Sequence, residues 1–486
     1  MRGVHSAVDD IRRNVFTEVA RLAYEGGDLN RVDMIPYKIV PGEVARHRHD
    51  VFLERAIVQE RVRLALGMSL QPAGEQSPVS AQIQEAATDQ KYFEEPLVNI
   101  IPFACNACPP KQIRITDSCQ GCISHPCMNV CPKDAIYLDE NKHCHIDQSK
   151  CIKCGKCFNQ CPYRAISKIE RPCAAACGMD AIESDELGRA KINYDKSQIF
   201  QVINAMQRND EVIACVAPAF VGQFGKEATP AKLKAAMRIL GFTDVVEVAI
   251  GADLCTVEEA HDFLENVPAK QPFMGTSCCP AWSVMAKKLF PQFKDYISMA
   301  LTPMVITARM VKKDHPNARI CFIGPCAAKK LEANRKSVRS DVDYVLTFEE
   351  LQGMFDAKEI DFAAIEADPA DDMSEGTGMG RGFAVGGGVA AAVVEAISHI
   401  DPDREVKIEY GDGLRECKKM LMMAKAGKRD GYLLEGMACP GGCVAGAGTI
   451  TPVKESAVNV DRFKKAAPEL SCTNSPFVNR LKEVEE

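Results

Sequence analysis

Four cysteines constrain this chain more than any other feature of its sequence. They stand on three short Gly/Pro-bearing segments: Cys279 in T-S-C-C-P-A-W (276–282), Cys326 in G-P-C-A-A-K-K-L-E (324–332), and Cys439 with Cys443 in E-G-M-A-C-P-G-G-C (435–443). Four thiolates are the usual holder of a cubane iron–sulfur cluster. Thiols so far apart in sequence can share one cluster only if the chain folds back to join the three loops. They therefore predict a cluster buried between two halves of a domain. Neighbouring side chains diverge, so Cys278 does not join Cys279 in one metal site and is left to face a substrate channel.

A second group of cysteines lies between 105 and 177. Cys151-x2-Cys154-x2-Cys157-x3-Cys161-Pro162 has the bacterial ferredoxin spacing, and Cys119-x2-Cys122-x4-Cys127-x3-Cys131-Pro132 is the same run with two extra residues. Short steps wrap three thiolates of a run around one cubane, while the following helix carries the fourth to the other. This predicts one [4Fe-4S] cluster on Cys119, Cys122, Cys127 and Cys161 and another on Cys151, Cys154, Cys157 and Cys131; a pair of zinc knuckles is the alternative. The ending recurs, with P-K-D-A-I after Cys131, P-Y-R-A-I after Cys161 and G-M-D-A-I after Cys177. Cys173-x3-Cys177 thus reads as the back of a third ferredoxin half whose front is Cys105-x2-Cys108-Pro109. These four would hold a third [4Fe-4S] cluster, the alternatives being a four-cysteine zinc site or unfilled thiols. Cysteines at ligand spacing indicate metal binding in a reducing compartment rather than disulfides.

The first three segments resemble, in order, the three signature motifs of the [FeFe]-hydrogenases, or iron-only hydrogenases, and the resemblance extends over roughly 99–450. It implies an α/β catalytic domain of two lobes with an H-cluster between them. The H-cluster is a [4Fe-4S] cubane joined to a two-iron subsite with CO, CN and a bridging dithiolate. On that resemblance Cys279, Cys326, Cys439 and Cys443 hold the cubane and Cys443 bridges to the subsite. Cys278 passes protons to the subsite, and Lys329 hydrogen-bonds a cyanide. Pro218 and Ala219 match the segment whose backbone approaches a cyanide, and Met437 matches the methionine packed on the subsite. Ser298, Glu259 and Asp262 match the family's proton path, with Glu258 an alternative register for Glu259; solvated helix acids are the bland reading. Asn266 stands where the path ends in arginine, Gly324 where methionine is usual, Met304 where a glutamine is often found, and G-A-G-T-I (446–450) where G-G-G-Q-P is common. With the cysteine-free N-terminus, these departures resemble the group B branch, in a monomeric type with an N-terminal ferredoxin-like domain.

The expected organisation is a mainly helical segment (1–97), an α+β ferredoxin-like domain (98–192), the H-cluster domain (193–455) and a C-terminal tail (456–486). Apolar spacing predicts helices over 8–24 and 42–66, and the Pro/Ser/Gln/Gly-rich stretch 69–84 reads as a linker. Short apolar runs at 211–218, 245–249 and 320–323 alternate with helical patterns near 230–240 and 252–266, and 272–275 leads into the first cysteine segment, which predicts α/β layers with function at the strand ends. The glycine-rich stretch 376–388 lacks the Lys-Ser/Thr of a phosphate loop; it reads as backbone close to the cofactor or as a mobile loop. Cys144, Cys215, Cys255, Cys321, Cys417 and Cys472 are expected as buried thiols.

A net charge of −7 argues against a nucleic-acid binder. No apolar run approaches the roughly 20 residues of a membrane span, and the N-terminus lacks a signal-peptide core, so the cytoplasm is expected. The resemblance implies reversible formation of H2 from protons and electrons. Ferredoxin or flavodoxin would donate the electrons, Lys150, Lys153, Lys156 and Arg164 would form the docking patch, and maturation proteins would supply the two-iron subsite. A hydrogen sensor and an iron–sulfur assembly or electron-transfer protein without that subsite are the rivals. Iron analysis of segment 98–192 should return about twelve irons per chain with three cubanes; about eight would remove the third.

Overall fold

The computed structural model describes all residues except 1–4, 73, 76, 93, 106–107, 109–110, 171–193, 209, 369–370 and 486. The chain divides into two compact units, one of residues 1–99 with 194–486 and the other of residues 100–193. The larger unit thus includes the N-terminal segment and the C-terminal tail.

Helix α1 (Ala7–Glu25) opens on a Ser6/Asp9 capping box and buries Val15, Phe16, Val19 and Leu22. The second expected helix is shorter, Val51–Ala65. The buried carboxylate of Glu54 accepts the backbone N–H groups of Arg46, His47 and Arg48, which holds the preceding stretch as a turn. The stretch read as a linker is pinned instead. Arg63 donates to the carbonyls of Ser69, Val79 and Ala81 at 2.9–3.1 Å, and Val79 and Ile83 are buried. A guanidinium with five donors satisfies carbonyls that no helix or sheet engages.

The smaller unit contains two antiparallel strand pairs. Strand β1 (Gln112–Ile115) and β2 (Ile136–Leu138) each lead from or into a cysteine run, as do β3 (Cys144–Ile146) and β4 (Ile166–Ile169); β1 pairs with β4 and β2 with β3. Its core is Ile113, Ile136 and Ile166 together with cysteines of both runs.

The larger unit is built on two parallel sheets. β5 (Val212–Val216), β6 (Asp244–Glu247), helix α2 (Ala249–Asn266) and β7 (Phe273–Gly275) come first, then β8 (Arg319–Gly324), β9 (Tyr344–Thr347) and helix α3 (Phe348–Ala357). Helix α4 (Gly388–Ile400), β10 (Lys407–Asp412) and β11 (Tyr432–Met437) complete the set. One sheet runs β9-β8-β5-β6 and the other β10-β11-β7. β5 is buried at every position, as befits a parallel strand covered on both faces.

α1 packs on α3 so closely that a Cβ at Gly353 would lie 2.5 Å from that of Phe16. Buried charge ties the two together. Lys330, 1% exposed at its side chain, pairs with Asp195 at 2.8 Å and Glu350 at 2.7 Å, and Arg12 of α1 pairs with Glu349 at 2.8 Å. Removing one member of a buried set leaves charge without compensation. Lys330→Ala should therefore cost about 3–5 kcal/mol, read as a lowered urea midpoint.

Candidate active site

The loops that follow β5, β7, β8 and β11 all leave the carboxyl ends of their strands, where open α/β sheets place their ligand sites. They enclose a cavity of about 250 Å³. Cys279, Cys326, Cys439 and Cys443 line it, together with Cys278, Lys329, Pro218, Ala219, Met304 and Met437. The structure thus gathers onto one surface residues from these four loops, with Met437 from the end of β11 and Met304 from the helix Pro303–Asp314. The remaining wall is almost entirely apolar, including Ala252, Phe322 and Phe383. The glycine-rich stretch is held by buried side-chain bonds. Thr377 caps the short helix Gly378–Gly382 and donates to buried Asp253 at 2.5 Å, and Arg381 forms a buried pair with Glu247 at 2.8 Å. That places Phe383 and Ala384 on the cavity wall.

The donor chemistry fits a thiolate-bound cluster. Burial pushes the Cys326 thiol up to about 12, with Cys279 and Cys439 adding to the shift, and raises Cys443 for the same reasons. Thiols in such a wall ionise on binding a metal rather than bare. Among the described residues no group of three His, Cys, Asp or Glu side chains is close enough to hold a single metal ion.

Lys329 is the one lysine on the wall. Burial disfavours its charge, but Glu332 and the neighbouring Cys278 and Cys326 outweigh burial and raise its pKa. The Glu332 contact, at 2.7 Å, is a charge pair rather than an aligned hydrogen bond, since Glu332 Oε2 lacks an aligned donor. Thr302 donates to Glu332 Oε1 at 2.6 Å, and Lys329 Nζ donates to the Cys278 carbonyl at 3.3 Å. Glu332 and Thr302 were not singled out in the sequence; only the i, i+3 spacing of Lys329 and Glu332 hinted at the pair.

Glu259 rather than Glu258 faces the loop after β7. Its Oε1 accepts from the Ser277 N–H at 2.9 Å and the Ser277 hydroxyl at 3.3 Å, and the Ser298 hydroxyl bears on the same carboxyl. Oε2 is buried without a hydrogen-bond partner. Burial raises the Glu259 pKa to about 7, and it also lifts the Cys278 thiol, with Glu259 next in effect. Asp262 stands on α2 three residues on, half-buried, with Asn266 donating to its backbone carbonyl at 2.8 Å. Cys255 is fully buried one turn before Glu259, with Cys278 among the charges that act on it.

The smaller unit has two cysteine-lined cavities. Cys119, Cys122, Cys127 and Cys161 line one. Cys131, Cys151, Cys154 and Cys157 line the other. Cys105 and Cys108 are half-buried, whereas Cys173 and Cys177 lie outside the described residues. No described helix is long and apolar enough to cross a membrane.

The Glu259 titration has a sign. The folded protein keeps this proton up to about pH 7 while the unfolded chain releases it near the ordinary 4.5, so the group's contribution is lost as pH rises between those values. Glu259→Gln should unfold at a higher temperature than wild type at pH 8, and the difference should vanish by pH 4.5.

Residues 210–447 match the family described as iron only hydrogenase large subunit, C-terminal domain. Residues 145–167 match a 4Fe-4S binding domain. The chain is 28% identical over 425 residues to iron hydrogenase 1 of Clostridium pasteurianum, covering 72% of this chain and 73% of that one. It is 29% identical over 358 residues to the periplasmic [Fe] hydrogenase large subunit of Nitratidesulfovibrio vulgaris, 62% of this chain and 85% of that one. It is also 28% identical over 277 residues to a probable cytosolic Fe-S cluster assembly factor of Aedes aegypti, 47% of this chain and 58% of that one. An apo [FeFe]-hydrogenase variant from Chlamydomonas reinhardtii superposes with a TM-score of 0.48 at 22% identity, over 56% of this chain and 89% of that one. Every residue that lines the cavity falls within 210–447, so it is in the stretch that builds this site that the chain is similar to the C-terminal domain of iron-only hydrogenase large subunits.

Proposed function

We propose that the protein is an [FeFe]-hydrogenase of the group B kind, forming H2 reversibly from protons and electrons. The observation that carries this reading is the pairing of a fifth thiol, Cys278, with a buried cation, Lys329, on the wall of the four-cysteine cavity. Neither is needed to hold a cubane. Cys279, Cys326, Cys439 and Cys443 would hold the cubane of an H-cluster, with Cys443 shared by its two-iron subsite. Bound there, the H-cluster supplies the redox chemistry in which two protons and two electrons become H2.

The chain's own groups do the rest. Cys278 holds a proton at Sγ on the cavity wall, and the buried Glu259 carboxyl, poised near neutrality, restores it. Ser298 and Asp262 continue the path toward the surface. Lys329, fixed by Glu332, presents positive charge to the cavity that Pro218 and Ala219 also line, and would hydrogen-bond a cyanide of the subsite. Met437, Met304 and the apolar wall keep water away from the reacting centre. Two cubanes in the smaller unit, and a third on Cys105, Cys108, Cys173 and Cys177, would carry electrons from ferredoxin or flavodoxin. Maturation proteins would deliver the two-iron subsite in the cytoplasm.

The named likeness to an assembly factor supports a second reading, a cubane protein without the subsite. Infrared spectra of protein matured with the two-iron cofactor separate the two. Metal-bound CO and CN stretches that shift under H2 are expected; a blank spectrum from folded, cubane-replete protein would sink the hydrogenase reading. Cys278→Ala should lower H2 evolution by roughly 10²–10⁴-fold while leaving cubane iron unchanged.

A further inference from the structure

The cavity lined by Cys119, Cys122, Cys127 and Cys161 carries a fifth thiol. Cys144 on β3 lies outside both spaced runs, is 4% exposed and lines the same cavity. Its Sγ is 3.7 Å from Cys127 Sγ.

The internal repeat supplies a control for what that position needs. Each cavity is walled by an isoleucine from the strand that leads into its own run, Ile115 of β1 in one and Ile146 of β3 in the other. Each is also walled by the residue two positions earlier on the opposite strand. That residue is Cys144 in the first cavity and Ile113 in the second. Ile113 is fully buried, so hydrocarbon meets the packing requirement of this position. In one half of the repeat a thiol replaces it, in contact with Cys127 and also interacting with Cys119 of the same run.

We propose that Cys144 is a hydrogen-bond donor to the Cys127 sulfur and sets the two cubanes of this unit apart in reduction potential. This rests on the reading that each set of four cysteines holds a [4Fe-4S] cluster. A Cys127 bound to iron is a thiolate with no proton, so the proton between the two sulfurs belongs to Cys144. Hydrogen bonds to cluster sulfurs are one of the levers on reduction potential. A donor draws charge from the sulfur and favours the reduced, more negative cluster. The cluster of the Cys119 run is thereby the preferred site for an electron, and Ile113 gives its partner no such donor. Cys144 is a positioning residue that acts through Cys127.

The test uses the full chain with its cubanes reconstituted and no two-iron subsite, as wild type, Cys144→Ile and Cys144→Ser. Iron content, redox titration followed by electron paramagnetic resonance, and pulsed detection of exchangeable protons near the reduced clusters are compared. Cys144→Ile is expected to keep its iron and to shift one cubane step to lower potential. The reduced-to-oxidised ratio at fixed potential should fall by about two- to tenfold, tenfold being 59 mV for one electron. It should also lose one exchangeable proton coupling, and Cys144→Ser, which retains a donor, should shift less. An unmoved titration with full iron overturns the proposal. Loss of about four irons from Cys144→Ile overturns it too, making Cys144 a ligand. Wild type without cubane iron would instead overturn the cluster assignment, and this inference with it.

Discussion

Five thiols and a lysine on the wall of one apolar cavity impose the constraint on which the larger unit depends. Cys278, Cys279, Cys326, Cys439 and Cys443 arrive on loops from both parallel sheets. Parallel strands point the same way, so their carboxyl ends can gather loops from distant stretches of chain around one point. Burial then governs the chemistry. It raises the thiols of Cys278, Cys326 and Cys443, and it holds the Glu259 carboxyl near neutrality. A wall that apolar makes each placed charge count, and Lys329 keeps its charge through Glu332.

The residues behind the wall explain why the N-terminal and C-terminal segments belong to this unit. Lys330 follows Lys329 in the second cysteine segment, and its buried pairs with Asp195 and Glu350 tie that segment to the helix on which α1 packs. On the opposite side Cys472 lies 3.7 Å from Thr377, in one apolar cluster with Phe383 and Met437. Residues of the N-terminal segment and the C-terminal tail thus pack against elements that carry the cavity wall.

Much of the site was legible because cluster ligands obey short-range rules. The spacing of Cys151, Cys154 and Cys157 and the Pro/Gly setting of Cys439 and Cys443 are visible without a structure. Strands β5, β6 and β8 and helix α2 were visible too, as apolar runs and a helical period. The pinned stretch 69–84 was not, since its order comes from Arg63 donating to carbonyls up to 18 residues away. The turn at 42–50 was hidden for a similar reason, its N–H groups being held by Glu54. Side chain to backbone bonds of this kind leave no periodic trace in sequence.

The sequence by itself determined which residue types are available, since thiolate chemistry needs cysteines at set steps and parallel strands need unbroken apolar runs. It left open whether Glu258 or Glu259 faces the loop after β7, and it gave no sign that Cys144 stands beside Cys127. Tertiary structure decided both. On a helix one residue of shift turns a side chain by about 100°, and only packing selects the face. The 3.7 Å contact of Cys144 with Cys127 depends on how the two halves of a repeat close on each other, a long-range matter that local spacing cannot encode.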